Sequence, residues 1–213
     1  MKLRSIVFVL TVVLASSVAK AQSGFFVTMD AQQFTQDGYR LNPAPGSANV
    51  DRPWLFGPSY GAYFDIHHIP YTQNVHVPSV PYLNKLKAPP IVVGIDFRGD
   101  TYRLNEYGSQ LDRQDGILSL RIAPKKEFMG TTPYVIGGFG IAHTRIPYAA
   151  NYTNNIIYAG GIGADRKIAK HIDWRMFEAR ASVLGHYQVA NTPAPNQSNY
   201  LITIGTGLVF RVH

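Results

Sequence analysis

The chain has 213 residues, enough for one domain of ordinary size; only 15% are charged, while 13 are tyrosine, 11 phenylalanine and none cysteine. Few charges beside many aromatics suit a protein with two apolar boundaries, and the missing thiols exclude a disulfide framework, a cysteine-ligated metal, a thiol nucleophile and a cysteine-borne lipid anchor. The formal charge of +7 falls to +4 without Lys2, Arg4 and Lys20, and no basic cluster is long enough to track a phosphate backbone, so nucleic acid is not an expected partner.

The first expected element is a targeting segment. Lys2 and Arg4 precede an apolar run over residues 6–14, and Ala19-Lys20-Ala21 forms a small-x-small cleavage site, which predicts a signal peptide over 1–21 and a mature domain over 22–213. The run is too short to cross a bilayer as a helix, and no other stretch approaches the ~20 apolar residues a spanning helix needs. An exported chain of this kind enters a membrane only as strands.

Eight segments with a period of two follow, separated by stretches rich in Pro, Gly, Asn and Asp. The first, 25–34, sets Val27, Met29 and Ala31 against Thr28, Asp30 and Gln32; residues 35–58, with four prolines, read as a long loop. The second, 59–69, sets Ala62, Phe64, Ile66 and His68 against Gly61, Tyr63, Asp65 and His67, and residues 70–90 carry five prolines and are hard to pair. The third, 91–104, sets Val93, Ile95 and Phe97 against Gly94, Asp96 and Arg98, and the fourth, 116–123, sets Leu118, Leu120 and Ile122 against Ser119 and Arg121. In the fifth, 134–145, Val135, Phe139 and Ile141 oppose Gly138, Gly140 and Ala142; in the sixth, 156–166, Tyr158, Ile162 and Ala164 oppose Gly161, Gly163 and Asp165. The seventh, 172–187, changes parity: Trp174 and Met176 share a face with Glu178 and Arg180, which predicts a β-bulge near Phe177 and leaves open whether Arg175 or Arg180 faces inward. The last, 199–213, sets Ile202, Ile204, Leu208 and Phe210 against Thr203, Gly205, Gly207 and Arg211.

The expected fold is therefore all-β, an eight-stranded antiparallel up-and-down transmembrane β-barrel, because in hydrocarbon a sheet must close on itself to pair every backbone group. Short connections between strands four and five and between six and seven fit periplasmic turns, and those after strands one, three, five and seven are read as the longer outward loops. The apolar faces would meet lipid, and Trp54, Tyr60, Tyr63, Tyr102, Tyr134, Tyr158, Trp174 and Tyr200 would form interfacial girdles. The other faces collect Asp30, Asp65, His67, Asp96, Arg98, Arg121, Asp165, Arg175, Glu178, Arg180 and Arg211. So narrow a barrel is filled by its own side chains, and nearly balanced charges there predict a mutually bonded ion network plugging the lumen, not a water-filled pore.

The signal peptide, the eight alternating segments, the glycine-rich inner faces and a last strand carrying Phe210 near its end resemble the small outer-membrane β-barrel proteins of the OmpA/OmpX type, over residues 24–213. The stretch from Tyr158-Ala-Gly-Gly-Ile-Gly-Ala-Asp165 through Lys170-His-Ile-Asp-Trp-Arg175 looks like the glycine-rich hairpin of many members. The resemblance implies residence in the outer membrane of a Gram-negative bacterium, contact with outer-membrane lipid, and a C-terminal strand read by the barrel insertion machinery. Members usually end on an aromatic residue, whereas here Phe210 is followed by Arg-Val-His.

No catalytic constellation emerges. Gly57-Pro58-Ser59-Tyr60-Gly61 matches the G-x-S-x-G nucleophile elbow, but that motif needs a following helix, and residues 62–69 alternate as a strand. His67 and His68 point to opposite sides and cannot chelate one metal, and the other histidines are scattered. The glycine pairs at 137–138 and 160–161 lack the third glycine and the helix of a phosphate loop. The sequence is thus read as a non-enzymatic outer-membrane barrel with a structural or surface-interaction role, needing no cofactor or metal and carrying any extracellular ligand on residues 35–58 and 189–197. The alternatives are a lipid-modifying barrel enzyme, an esterase or deacylase using Ser59, and a soluble lipocalin-like carrier with its faces reversed.

Overall fold

A computed structural model describes residues 23–35, 40–41, 50–51, 54–69, 90–106, 109–145, 152–185 and 199–212. The expected signal peptide, most of the 35–53 connection, residues 70–89 and residues 189–197 lie outside them. Ten strands are described: β1 (Ser23–Phe34), β2 (Arg40–Leu41), β3 (Val50–Asp51), β4 (Trp54–Ile69), β5 (Ile91–Glu106), β6 (Ser109–Pro124), β7 (Thr131–Arg145), β8 (Tyr152–Lys167), β9 (Ile172–Leu184) and β10 (Asn199–Val212). Eight of them close a barrel in the order β1-β10-β9-β8-β7-β6-β5-β4, while β2 and β3 form a separate two-stranded ribbon within the first connection. Closure is made by β1, which pairs antiparallel with β10 from Ser23↔Val212 to Phe34↔Leu201 and with β4 from Ser23↔Phe64 to Gln33↔Trp54.

Alternation decides which way the wall faces. Val27, Met29, Phe97, Leu120, Phe139, Ile162, Ile204 and Leu208 are exposed on the outside, and Thr28, Asp30, Asp96, Arg98, Ser119, Arg121 and Thr203 are buried inside. A carrier with an apolar cavity would show the reverse. No described helix is long and apolar enough to cross a membrane; the crossing is made by strands whose backbone groups are paired around the closed ring.

Five wall strands start earlier than their composition predicts, and the extension is longest in β4 and β6. Residues 54–58 belong to β4, although Pro58 argues for a loop, because the β4–β5 ladder simply skips Gly57 and Pro58 between Phe56↔Arg103 and Ser59↔Asp100. Proline needs no partner there for the N–H it lacks, and a side chain at Gly57 would run into the carbonyl of Thr101. Residues 109–115 belong to β6 and pair with β5 up to Glu106↔Ser109, so the third connection, expected to be long, is reduced to residues 107–108. Polar residues on both faces of this stretch, Asp112 and Gln114 outside, Arg113 and Asp115 inside, erase the alternation while leaving the ladder intact. On the opposite rim, Phe128 and Thr131 close a tight turn through Met129 (φ 52°) and Gly130 (φ 74°), both left-handed as a two-residue hairpin demands.

The bulge expected near Phe177 is present. Asp165 pairs with Arg175 but Ala164 with Phe177, and Gly207 pairs with Arg175 but Gly205 with Glu178, so Met176–Phe177 holds one extra residue against both neighbours. The extra residue restores parity, and Arg175 and Arg180 both face inward, each buried.

Candidate functional site

The interior of the barrel is the candidate site, and it is layered. Nearest the loop end, inward residues of all eight wall strands meet in an apolar cluster of Phe34, Leu55, Tyr102, Ile117, Ala142, Ile157, Leu184 and Leu201. The sequence reading contained no such layer. Beside it Arg113 grips Asp115 two residues along its own strand, Nε donating to Oδ1 at 2.8 Å and Nη2 to Oδ2 at 2.9 Å.

Below the apolar layer lies a continuous web of ions. Arg180 donates to Asp100 at 2.7 Å and to Asp30 at 2.8 Å, its Nε lies 3.2 Å from Glu178, and Ser59 Oγ donates to Asp30 at 2.5 Å. Glu178 is the hub: Arg98 binds it with both terminal nitrogens, one of them at 2.8 Å, Arg175 donates to it at 3.1 Å and the Tyr134 hydroxyl at 2.6 Å. Arg175 continues to Asp165 at 2.9 Å, which also accepts from Arg121 at 3.2 Å. Aromatic rings fill the gaps between guanidinium groups, with Arg121 held 4.2 Å from the Tyr63 ring and 4.4 Å from Tyr134, and Arg98 and Arg175 both over Phe26. Stacking of this kind suits arginine, which loses less hydration than lysine when buried. At the opposite mouth Arg211 binds Asp173 and, at 3.1 Å, Glu127.

Of the residues expected in the lumen, Asp30, Asp65, Asp96, Arg98, Arg121, Asp165, Arg175, Glu178 and Arg180 are buried there, and Arg211 lies at the rim with its side chain 11% exposed. His67 is a correction. A second bulge, between Asp65 and His67, pairs His67 with the outward Val93, so its ring leaves the barrel. Asp96 is inside but apart: its carboxylate is 3.7 Å from Arg98 Nε, and neither oxygen accepts a hydrogen bond among the described residues. Tyr63, Tyr102 and Tyr134, expected in the girdles, are buried in the lumen, whereas Trp54, Tyr60, Tyr158, Trp174 and Tyr200 are exposed on the outside. Asp100, Arg113, Asp115 and Asp173 complete the inner face and were not anticipated; parity with Arg98, Ser119 and Arg175 is the signal that marks them.

Ser59, the candidate nucleophile, is buried on a continuous strand with its hydroxyl spent on Asp30, and no helix follows it. Among the described residues no three His, Cys, Asp or Glu side chains converge to hold a metal.

A closed antiparallel wall of eight strands, apolar without and ionic within, defines a small transmembrane barrel of the outer-membrane type. No known protein family and no curated protein sequence matches this chain. Among solved structures it is similar to Neisserial surface protein A (NspA), at 10% identity over 88% of this chain and 97% of that one with a TM-score of 0.55. It is also similar to Ail of Yersinia pestis (11% identity, 90% and 99% coverage, TM-score 0.49) and to the outer-membrane enzyme PagL (12%, 87% and 99%, TM-score 0.41). The likeness is one of fold, that of the small barrels of the Gram-negative outer membrane.

Proposed function

We propose that this chain is a non-enzymatic outer-membrane barrel whose sealed interior makes it a rigid mount for the outward connections, which carry recognition of an extracellular ligand. The observation that supports this reading is the filling of the lumen: a web of arginines and carboxylates centred on Glu178, covered toward the loop end by the apolar cluster around Leu184 and Leu201. A pore needs mobile water along its axis, whereas here the guanidinium and carboxylate groups bind one another and the apolar layer offers water no partner. The enzymatic alternative draws no support from Ser59, which faces this interior and donates to Asp30.

Reconstitution in planar bilayers and in dye-loaded vesicles tests the reading. Insertion without stepwise conductance or dye release is the expected result, and a stable open level in the unaltered protein would overturn it. Hydrolysis of a short-chain ester by the purified barrel, abolished in Ser59→Ala, would replace it with the enzymatic reading.

A further inference from the structure

The end of the barrel opposite the loops carries an exposed surface of mixed character. Past the end of the wall, the β6–β7 connection exposes Phe128 to 73% and Met129 to 85%, the two most exposed large apolar side chains among the described residues, and the β8–β9 connection exposes Ile168 to 58%. Around them Lys125, Lys126, Arg166, Lys167 and Lys170 are all exposed, and none has an ion-pair partner among the described residues. Glu127 is the only exposed carboxylate at this end among the described residues, and it is spent on Arg211 at 3.1 Å. Residues 70–89, which connect β4 to β5 from the same end, contain no Asp or Glu.

The two connections form one braced platform. The Lys167 amide donates to the Gly130 carbonyl at 3.0 Å and joins them. Phe128 and Thr131 close the first with a pair of backbone hydrogen bonds, and the Ile168 and Ala169 amides close the second on the Ile172 carbonyl. A surface held by its own backbone has little freedom to lose on binding. Nor does it lean into the bilayer. Glu127 reaches Arg211 on β10, four strands round the ring from β6, so the first connection is tied across the mouth of the lumen and is not splayed toward acyl chains. Clustered apolar tips that stand in water, ringed by unpaired cations, mark a surface that another molecule covers.

We propose that this end docks a carboxylate-bearing glycopeptide polymer, the chemistry of the cell wall that faces the periplasmic side of an outer membrane. The lysines take its peptide carboxylates, and Phe128, Met129 and Ile168 lie on its sugar faces and alanine methyl groups. The charges are complementary, and a polymer that repeats its carboxylates lets individually weak contacts add across one surface. A second copy of the chain would set these cations against themselves.

Co-sedimentation of the detergent-solubilised barrel with purified peptidoglycan sacculi tests this. Retention in about 0.1 M salt, lost when about 1 M salt shortens screening from roughly 10 Å to roughly 3 Å, is the expected result. The variant Lys125→Gln/Lys126→Gln/Lys167→Gln/Lys170→Gln should raise the apparent Kd about tenfold. Phe128→Ser/Met129→Ser should raise it about threefold without changing the salt dependence, and Arg103→Gln at the loop end should leave it where it is. Sacculi whose carboxylates have been amidated should retain nothing, and unboiled gel migration verifies that each variant is still a closed barrel. Equal retention by amidated sacculi, an apparent Kd indifferent to the lysine substitutions, or a loss as large in Arg103→Gln would each overturn the proposal. So would displacement by polyglutamate at matched carboxylate concentration, which would assign the surface to an acidic polypeptide in place of the wall.

Discussion

The two levels of the lumen solve one problem by opposite means. At mid-barrel, space is filled by ions that satisfy each other, with Glu178 accepting from Arg98, Arg175 and Tyr134; at the loop end it is filled by Leu184, Leu201, Ile157 and their apolar neighbours, which have nothing to satisfy, with only the Tyr102 hydroxyl of that cluster reaching down to accept from Arg180 at 3.1 Å. The apolar level protects the ionic one, since guanidinium–carboxylate pairs hold best where water is kept out. The ionic level in turn depends on completeness, because a single lost partner strands the charges that remain. The difference teaches where this barrel is brittle and where it yields.

Substitutions can break or sharpen that contrast. The largest effect is expected for Glu178→Ala, which leaves Arg98 with only Asp96 at 3.7 Å and takes one of the two carboxylates from Arg175, and should cost about 3–5 kcal/mol, read as a lower urea midpoint for unfolding in detergent. Leu184→Ala removes packing without stranding a charge and should cost about 2–4 kcal/mol; if it also admits dye or ions in the vesicle assay, the apolar layer is the seal. Asp96→Asn replaces a carboxylate that accepts no hydrogen bond among the described residues, so stability should hold or rise by about 0–1 kcal/mol, and a loss as large as that for Glu178 would show that Asp96 belongs to the web. Smallest of all, His67→Ala should leave the unfolding midpoint where it is, because the ring faces away from the lumen.

The barrel itself was readable because lipid and lumen impose opposite demands on alternate residues. Val93 and Phe97 against Asp96 and Arg98 is a period of two that neither a helix nor a two-sided buried strand produces. Legibility failed where one of the demands lapses. Residues 109–115 extend beyond the apolar belt, so Asp112 and Gln114 are as polar outside as Arg113 and Asp115 inside, and the strand resembles a loop. The tyrosines mislead for a different reason: an aromatic near a strand end suits a girdle or a narrow lumen equally well, and only the shared parity of Tyr102 with Arg98 decides for the interior. His67 was lost to a bulge that its own sequence neighbourhood does not mark, while the one near Phe177 betrays itself by setting Trp174 in phase with Glu178. The apolar layer was invisible because its members come one from each wall strand and meet only when the ring closes.

The extra residue at Met176–Phe177 has a consequence for how this protein tolerates change. Along an unbroken strand the residues three before and two after Glu178 would look to opposite sides; the bulge turns them into a pair of jaws on one carboxylate. Excising Met176 would close the register, leaving Arg175, Phe177 and Glu178 opposite Asp165, Ala164 and Gly163 in unbroken alternation, so both arginines would keep their inward facing. A one-residue deletion is thus absorbed here, whereas one in a regularly paired part of β9 would reverse the facing of every residue beyond it, so tolerance to such a deletion should be greatest at this point of the wall.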